Sequence, residues 1–312
     1  MNKPRRAPRR QIDGVLLLDK PIGLTSNAAL QKARWLYNAA KAGHTGTLDP
    51  MATGLLPLCF GEATKFAGEL LDADKSYRAT LRLGVTTDTA DAEGQVLETR
   101  PVLVTEEGLR AAMTEFLGEI EQVPPMYSAL KRDGKPLYEY ARQGIELERE
   151  PRRVTIHRLE LISFTDDEAV IDVDCSKGTY VRTLAADIGE RLGCGAHLIA
   201  LRRTRIGRLD LARAVTIEEL EALLLPERDA RLAPVDALVA GLPVAELDTA
   251  ETDRVLHGQA IRRDGEVGSR FRLYGAQGGF LGVGQLGADG CLQPRRLIAT
   301  EPSGEAEPAK KQ

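Results

Sequence analysis

Disulfide chemistry has little room in this sequence. Its four cysteines (Cys59, Cys175, Cys194, Cys291) are scattered through 312 residues with no C-x-x-C among them. That spacing implies no disulfide framework. Cys194 and His197 make one C-x-x-H, but the three other histidines are remote in sequence. No zinc site is expected, and small buried thiols are the better reading. Apolar runs are short: none approaches the roughly 20 residues needed to span a bilayer. The charged start MNKPRRAPRR leads into no apolar stretch long enough for a signal peptide. A cytoplasmic location is the expectation.

A basic excess is missing as well. Net charge is −4 and the pI about 5.8, which argues against a wholly basic nucleic-acid binder. Positive charge is instead local, at Arg5, Arg6, Arg9 and Arg10 and again at Arg202, Arg203, Arg205 and Arg208. Any RNA surface is therefore a patch, balanced by acidic helices elsewhere. The 43% hydrophobic and 28% charged content is ordinary for a globular protein, and the length fits about two domains.

What the chain does have is concentrated between Gly43 and Lys65, GHTGTLDPMATGLLPLCFGEATK. Four glycines and two prolines there allow sharp turns and close approach to a ligand. Asp49 precedes Pro50, which pushes it into extended geometry. It should project from a stiff loop, although Asp-Pro is also ordinary turn chemistry. LLPLCF reads as a buried strand or a helix start.

Residues 1 to 10 read as a mobile basic arm. A strand over 14–19 precedes a helix capped by Ser26 or Asn27, with Leu30, Ala33, Tyr37 and Ala40 on one face. KSYRATLRL reads as a strand, followed by a polar loop. Its acids Asp88, Asp91 and Glu93 miss the alternating positions of a calcium loop. Thr105 caps a helix with Leu109, Met113 and Phe116 inward and Gly118 at its end. An insertion of about 124–152 mixes prolines, Tyr127, Tyr138, Tyr140 and bases, as suits a clamp over RNA. Its Ser128-x-x-Lys131 lacks the partner motifs of a penicillin-binding site. Two strands fill 154–175 and a helix carries Leu184, Ile188 and Leu192. Thr216 and Glu219 form a capping box for a helix ended by Pro226. A boundary falls at 242/243, before a small β-rich module. Gly282-x-Gly284-x-x-Gly287 there opens no helix and so reads as hairpin glycines rather than a dinucleotide site. Residues 301 to 312 read as a disordered tail.

The string G-H-T-G-T-L-D-P-x-A-x-G-x-L-P resembles the catalytic motif of TruB-type tRNA pseudouridine synthases. Lys20-Pro21, K-S-Y at 75–77, PMYSALK, SKGTYVRT at 176–183 and GCGAHLIALRR follow in the family's order. The resemblance implies an α+β fold: a catalytic domain over 11–242, built on a mixed, largely antiparallel sheet, and a PUA-like RNA-binding domain over 243–300. It also implies isomerisation of the T-loop uridine at tRNA position 55, with no cofactor and no metal. Asp49 would be the nucleophile, whether it attacks ribose or uracil or aids glycal formation. Tyr77 would stack on the base and Arg182 would orient Asp49. His44, Lys20, Tyr180 and Leu201 would meet the substrate. The implied partner is tRNA, bound by a monomer without guide RNA or membrane. An RNA-binding chaperone and a guide-RNA particle subunit are the competing readings.

Overall fold

A computed structural model describes residues 8–299; the expected tail, and the expected arm as far as residue 7, lie outside them. Seven strands of the main sheet run in the order Gly14–Lys20, Thr53–Phe60, Ala196–Ile206, Lys75–Leu83, Glu168–Cys175, Arg152–Thr165, Gly118–Gln122. Every neighbouring pair along this path is antiparallel except Ala196–Ile206 with Thr53–Phe60. LLPLCF is thus a strand, and a fully buried one. Its outer edge changes partner midway. Arg202 and Arg203 lie opposite Thr53 and Gly54, whereas the short Ala42–His44 strand takes over opposite Leu58 to Phe60. The loop holding Asp49 connects Ala42–His44 to Thr53–Phe60 at the changeover.

Alternation along the strands builds two faces. On one face, Leu81, Ile171 and Val173 pack with Leu109, Met113, Leu184 and Ile188 from helices Glu106–Thr114 and Val181–Arg191. Beside them, Leu16, Leu18, Leu56 and Leu58 pack with Leu30 and Ala33 of helix Ser26–Leu36. Tyr77 and Leu201 touch both clusters and mark the seam between them. On the other face, Val15, Leu17 and Leu55 meet the 3-10 helix Gly61–Leu70 and Val283 of the C-terminal module.

That module is a five-stranded sheet, Val244–Glu246, Arg270–Tyr274, Phe280–Leu286, Cys291–Leu297 and Ile261–Arg262, with helix Thr249–Leu256 beside it. Arg270 grips Glu69 through two 2.7 Å hydrogen bonds, and Phe280 lies 5.5 Å from Phe66. Gly282 and Gly284 sit inside a strand, where a Cβ on Gly282 would come 2.1 Å from the Arg296 carbonyl. No helix among the described residues is long and apolar enough to cross a membrane.

Four expectations need correction. Thr25, not Ser26 or Asn27, caps the first helix, because the Ser26 hydroxyl is engaged with the Asp49 loop. Gly118, at φ +87°, begins a strand after the helix has already stopped at Thr114. The capping box at Thr216 forms, yet Pro226 starts a new short helix instead of ending that one, as proline's fixed φ and missing N–H allow in a first turn. Arg10, the last residue of the expected arm, is held in place: it pairs with Asp229 at 2.6 Å and bonds the backbone of Asn38 and Ala40.

Candidate active site

The Asp49 loop is held from beneath by groups that touch its backbone. Ser26 clamps Leu48 twice, donating to its carbonyl (3.0 Å) and accepting from its N–H (2.8 Å). Lys20 has no exposed surface. Its ammonium donates to the carbonyls of Pro21 (2.8 Å), Leu24 (2.6 Å) and Pro50 (3.4 Å), and Gly23 N–H also reaches Pro50 O. Burial lowers the Lys20 pKa to about 8, against the pull of the Asp49 charge. Arg203, 2% exposed, runs below the other end and donates to Leu55 O (2.8 Å) and Thr47 O (3.4 Å). With its backbone fixed this way, the loop presents one carboxylate, 42% exposed.

Arg182 meets that carboxylate at 3.0 Å from Nη2 to Oδ2. The guanidinium comes from the first turn of helix Val181–Arg191 and is 7% exposed. Its Nη1 also meets Asp91 (3.3 Å) and Thr89 O (3.2 Å), and its Nη2 donates to Tyr127 O (2.7 Å). A buried guanidinium is stable only when its donors are filled in this manner. Asp91 is itself buried and accepts from Thr89 Oγ1 and Glu93 N–H.

Lys20, Tyr77 and Tyr180 all lie within reach of the Asp49 field. Burial raises the pKa of both tyrosines, and the Asp49 charge adds to it. Tyr77 sits in strand register opposite Arg203. Leu201, opposite Ala79, packs beside Tyr77 at the seam. His44 stands at the other root of the loop, half-buried. Its pKa is lowered by burial, and its Nδ1 has no hydrogen-bond partner among the described residues. The structure therefore pairs Asp49 with Arg182, puts Tyr77 and Tyr180 within range of the Asp49 charge, and sets Leu201 in the seam that Tyr77 also touches. Lys20, by contrast, contacts the loop from below rather than facing outward.

The chain matches known families along its length. The model of the TruB family pseudouridylate synthase N-terminal domain matches residues 34–181. Those of the tRNA pseudouridylate synthase B C-terminal domain and of the TruB pseudouridine synthase II C-terminal region match 182–240 and 243–298. Over 297 residues the chain is 63% identical to tRNA pseudouridine synthase B of Azoarcus sp., covering 95% of this chain and 98% of that one. Identity to the protein of the same name is 61% over 299 residues in Aromatoleum aromaticum and 60% over 305 in Burkholderia mallei, each covering 96% of this chain and 97% of the other. The chain belongs to the TruB family.

The fold reaches beyond close relatives of this TruB-family chain. A chain of an H/ACA ribonucleoprotein bound to a substrate RNA superposes with TM-score 0.70 at 23% identity, covering 92% of this chain and 85% of that one. One from a Cbf5-Nop10-Gar1 complex gives 0.71 at 24%, covering 95% and 91%. Likeness at those identities concerns the fold alone.

Two buried residues that hold Arg182 and the Asp49 loop escape a reading of the sequence. Asp91 looks like any acid in a polar loop, and only the fold brings it into burial against Arg182. Arg203 looks like one member of a surface arginine run. Strand alternation separates Arg202 from Arg203, and a bulge between Arg203 and Arg205 breaks the alternation beyond it. Arg203 turns inward while Arg202 pairs with Asp19 at 2.6 Å and Arg205 donates to Ser76, so Arg203 is not part of a surface patch with its neighbours. Cys194 and His197 are both buried, and the His197 Nδ1 contacts Val85 O at 2.9 Å.

Proposed function

We propose that this chain isomerises a tRNA uridine to pseudouridine at position 55 of the T-loop, with Asp49 as the nucleophile. The observation that carries this reading is the Asp49 carboxylate, on a loop fixed from below, paired to a nearly buried Arg182 and left open on its other side. The reaction breaks the bond from uracil N1 to the ribose and joins C5 to the same carbon. C5 loses its proton and N1 gains one, so no electrons are exchanged with any other molecule. An anchored nucleophile suits this two-step exchange because one difficult displacement becomes two easier ones.

A uridine inside a folded loop must first be extruded, at a few kcal/mol, and stacking on an aromatic face returns about 1–3 kcal/mol. In this reading Tyr77 supplies that face, and Leu201 and Tyr180 meet the substrate with it. His44, on the outer root of the loop, is placed to fill the space the base leaves. Lys20 acts by holding the Pro50 carbonyl under the loop. The C-terminal module extends the RNA surface, and the protein works in the cytoplasm as a monomer on the tRNA T-arm, without guide RNA. The relatives' shared name, tRNA pseudouridine synthase B, supports this reading over a guide-RNA particle subunit.

Incubation with tRNA carrying tritium at uridine C5 tests the reading. Wild type should release label and Asp49→Asn should release none. Equal release by both would remove Asp49 from the chemistry. Binding of tRNA without release by wild type would favour an RNA chaperone.

A further inference from the structure

Residues 123–151 leave and rejoin the main sheet at a single point, because Gln122 and Arg152 are register partners on the Gly118–Gln122 and Arg152–Thr165 strands. The neck of this insertion is fastened twice to the start of the helix that carries Arg182. Gln122, 2% exposed, accepts from Tyr180 N–H (3.1 Å) and donates to Tyr180 O (3.4 Å). Tyr180 is the residue ahead of helix Val181–Arg191 and has no side-chain cap of its own. Past the buried Pro124, Tyr127 O accepts from Arg182 Nη2 at 2.7 Å. That same nitrogen is the one paired with Asp49.

One guanidinium thus joins the neck of the insertion to the reactive carboxylate. We infer that Gln122 is a positioning residue: with the Tyr127 carbonyl it locks the insertion neck to the Arg182 end of the helix, so that how the insertion is seated sets the Arg182–Asp49 pair. When RNA settles the insertion, Tyr127 O holds Nη2 in place. When the neck moves, Nη2 must choose between Tyr127 O and Asp49. Displacements of about 1 Å in such an arrangement change rates by up to on the order of 100-fold. Coupling of this kind is reciprocal, so loosening Arg182 also frees the insertion.

This inference rests on the proposed pseudouridylation for its kinetic readout, and a second readout does not need activity. In single-turnover label release with full-length tRNA, Gln122→Leu should lower the plateau rate about 10-fold and leave the half-saturating concentration within about 2-fold. Gln122→Asn keeps both the acceptor for Tyr180 N–H and the donor for Tyr180 O, one methylene shorter, and should recover part of the rate. In an Arg182→Lys background, Gln122→Leu should add no further loss. Separately, trypsin should cut at Lys131 or Arg132 about 10-fold faster in both Gln122→Leu and Arg182→Lys, below the melting temperature of each. A weaker tRNA affinity at an unchanged plateau, multiplicative losses in the double variant, or unchanged trypsin cleavage in Arg182→Lys would each overturn the tie. An inactive wild type would count against pseudouridylation, and the trypsin comparison would still judge the coupling.

Discussion

Arg182 and Asp49 form a lopsided ion pair: 3.0 Å apart, with the guanidinium 7% exposed and the carboxylate 42%. Asp91, the second acid on that guanidinium, is 4% exposed. Removing a charge from a buried pair costs about 3–5 kcal/mol, whereas an exposed partner is worth about 0–1 kcal/mol. Asp91→Asn should therefore lower the melting temperature by several degrees and weaken turnover. Asp49→Asn should abolish turnover with a melting temperature close to wild type. Thermal melts of the two variants side by side check this, and equal losses of stability would contradict the division of labour between the two acids.

Ser26 holds the loop through a single hydroxyl that both donates to and accepts from Leu48. Ser26→Ala leaves a buried N–H and a buried carbonyl unpaired, a penalty of about 1–3 kcal/mol. It also frees the backbone next to Asp49. Turnover of Ser26→Ala should fall while tRNA affinity, measured by filter binding, stays near wild type. A loss in affinity alone would mean that the loop contacts RNA without aiming the carboxylate.

Much of this arrangement is legible in the sequence, and the reason is local. Glycine and proline dictate backbone geometry wherever they stand, so the stiff loop around Asp49 can be read from GHTGTLDP. Alternating patterns such as AVIDVDC give strands directly. The partners of Arg182 cannot be read this way. Thr89, Asp91 and Tyr127 are 93, 91 and 55 positions away along the chain, and contacts at such separation leave no periodic trace. Ser26 misleads because serine suits a helix cap, and the hydrogen bond it makes instead depends on a loop more than 20 residues further on.

Gly54 and Gly46 both have positive φ, +98° and +93°, yet they should respond differently to alanine. A Cβ on Gly54 would lie 2.3 Å from the Arg203 carbonyl and 2.8 Å from its nitrogen. Those are backbone atoms in the parallel pairing that brings Arg203 under the loop. Nothing lies within 4 Å of a Cβ on Gly46, so only the left-handed backbone is strained, at about 1–2 kcal/mol. Gly46→Ala should fold with a modest fall in melting temperature. Gly54→Ala should be recovered largely unfolded or with its cooperative melt lost, and similar melts for the two would show that the strands have slack at Gly54.

Lys20 gives the site a pH dependence whose sign is fixed by burial. In the folded protein its pKa is about 8 rather than 10.5, chiefly because burial disfavours the ammonium. Between those values the unfolded chain binds the extra proton, so unfolding is opposed more strongly as pH rises. The burden of the buried charge is present in full below pH 8 and is relieved as pH climbs towards 10.5. Lys20→Met has no proton to lose, so the melting-temperature difference between wild type and Lys20→Met should move in favour of wild type from pH 7.5 to pH 10. Turnover should run the other way. Above about pH 8 wild type loses the positive charge near Asp49 and one donor to the carbonyls of Pro21, Leu24 and Pro50, so its rate should decline there with a single-proton slope. Lys20→Met should be slower at pH 7 and lack that decline, and a wild-type rate that holds level to pH 9.5 would place the charge on Lys20 outside the working of the loop.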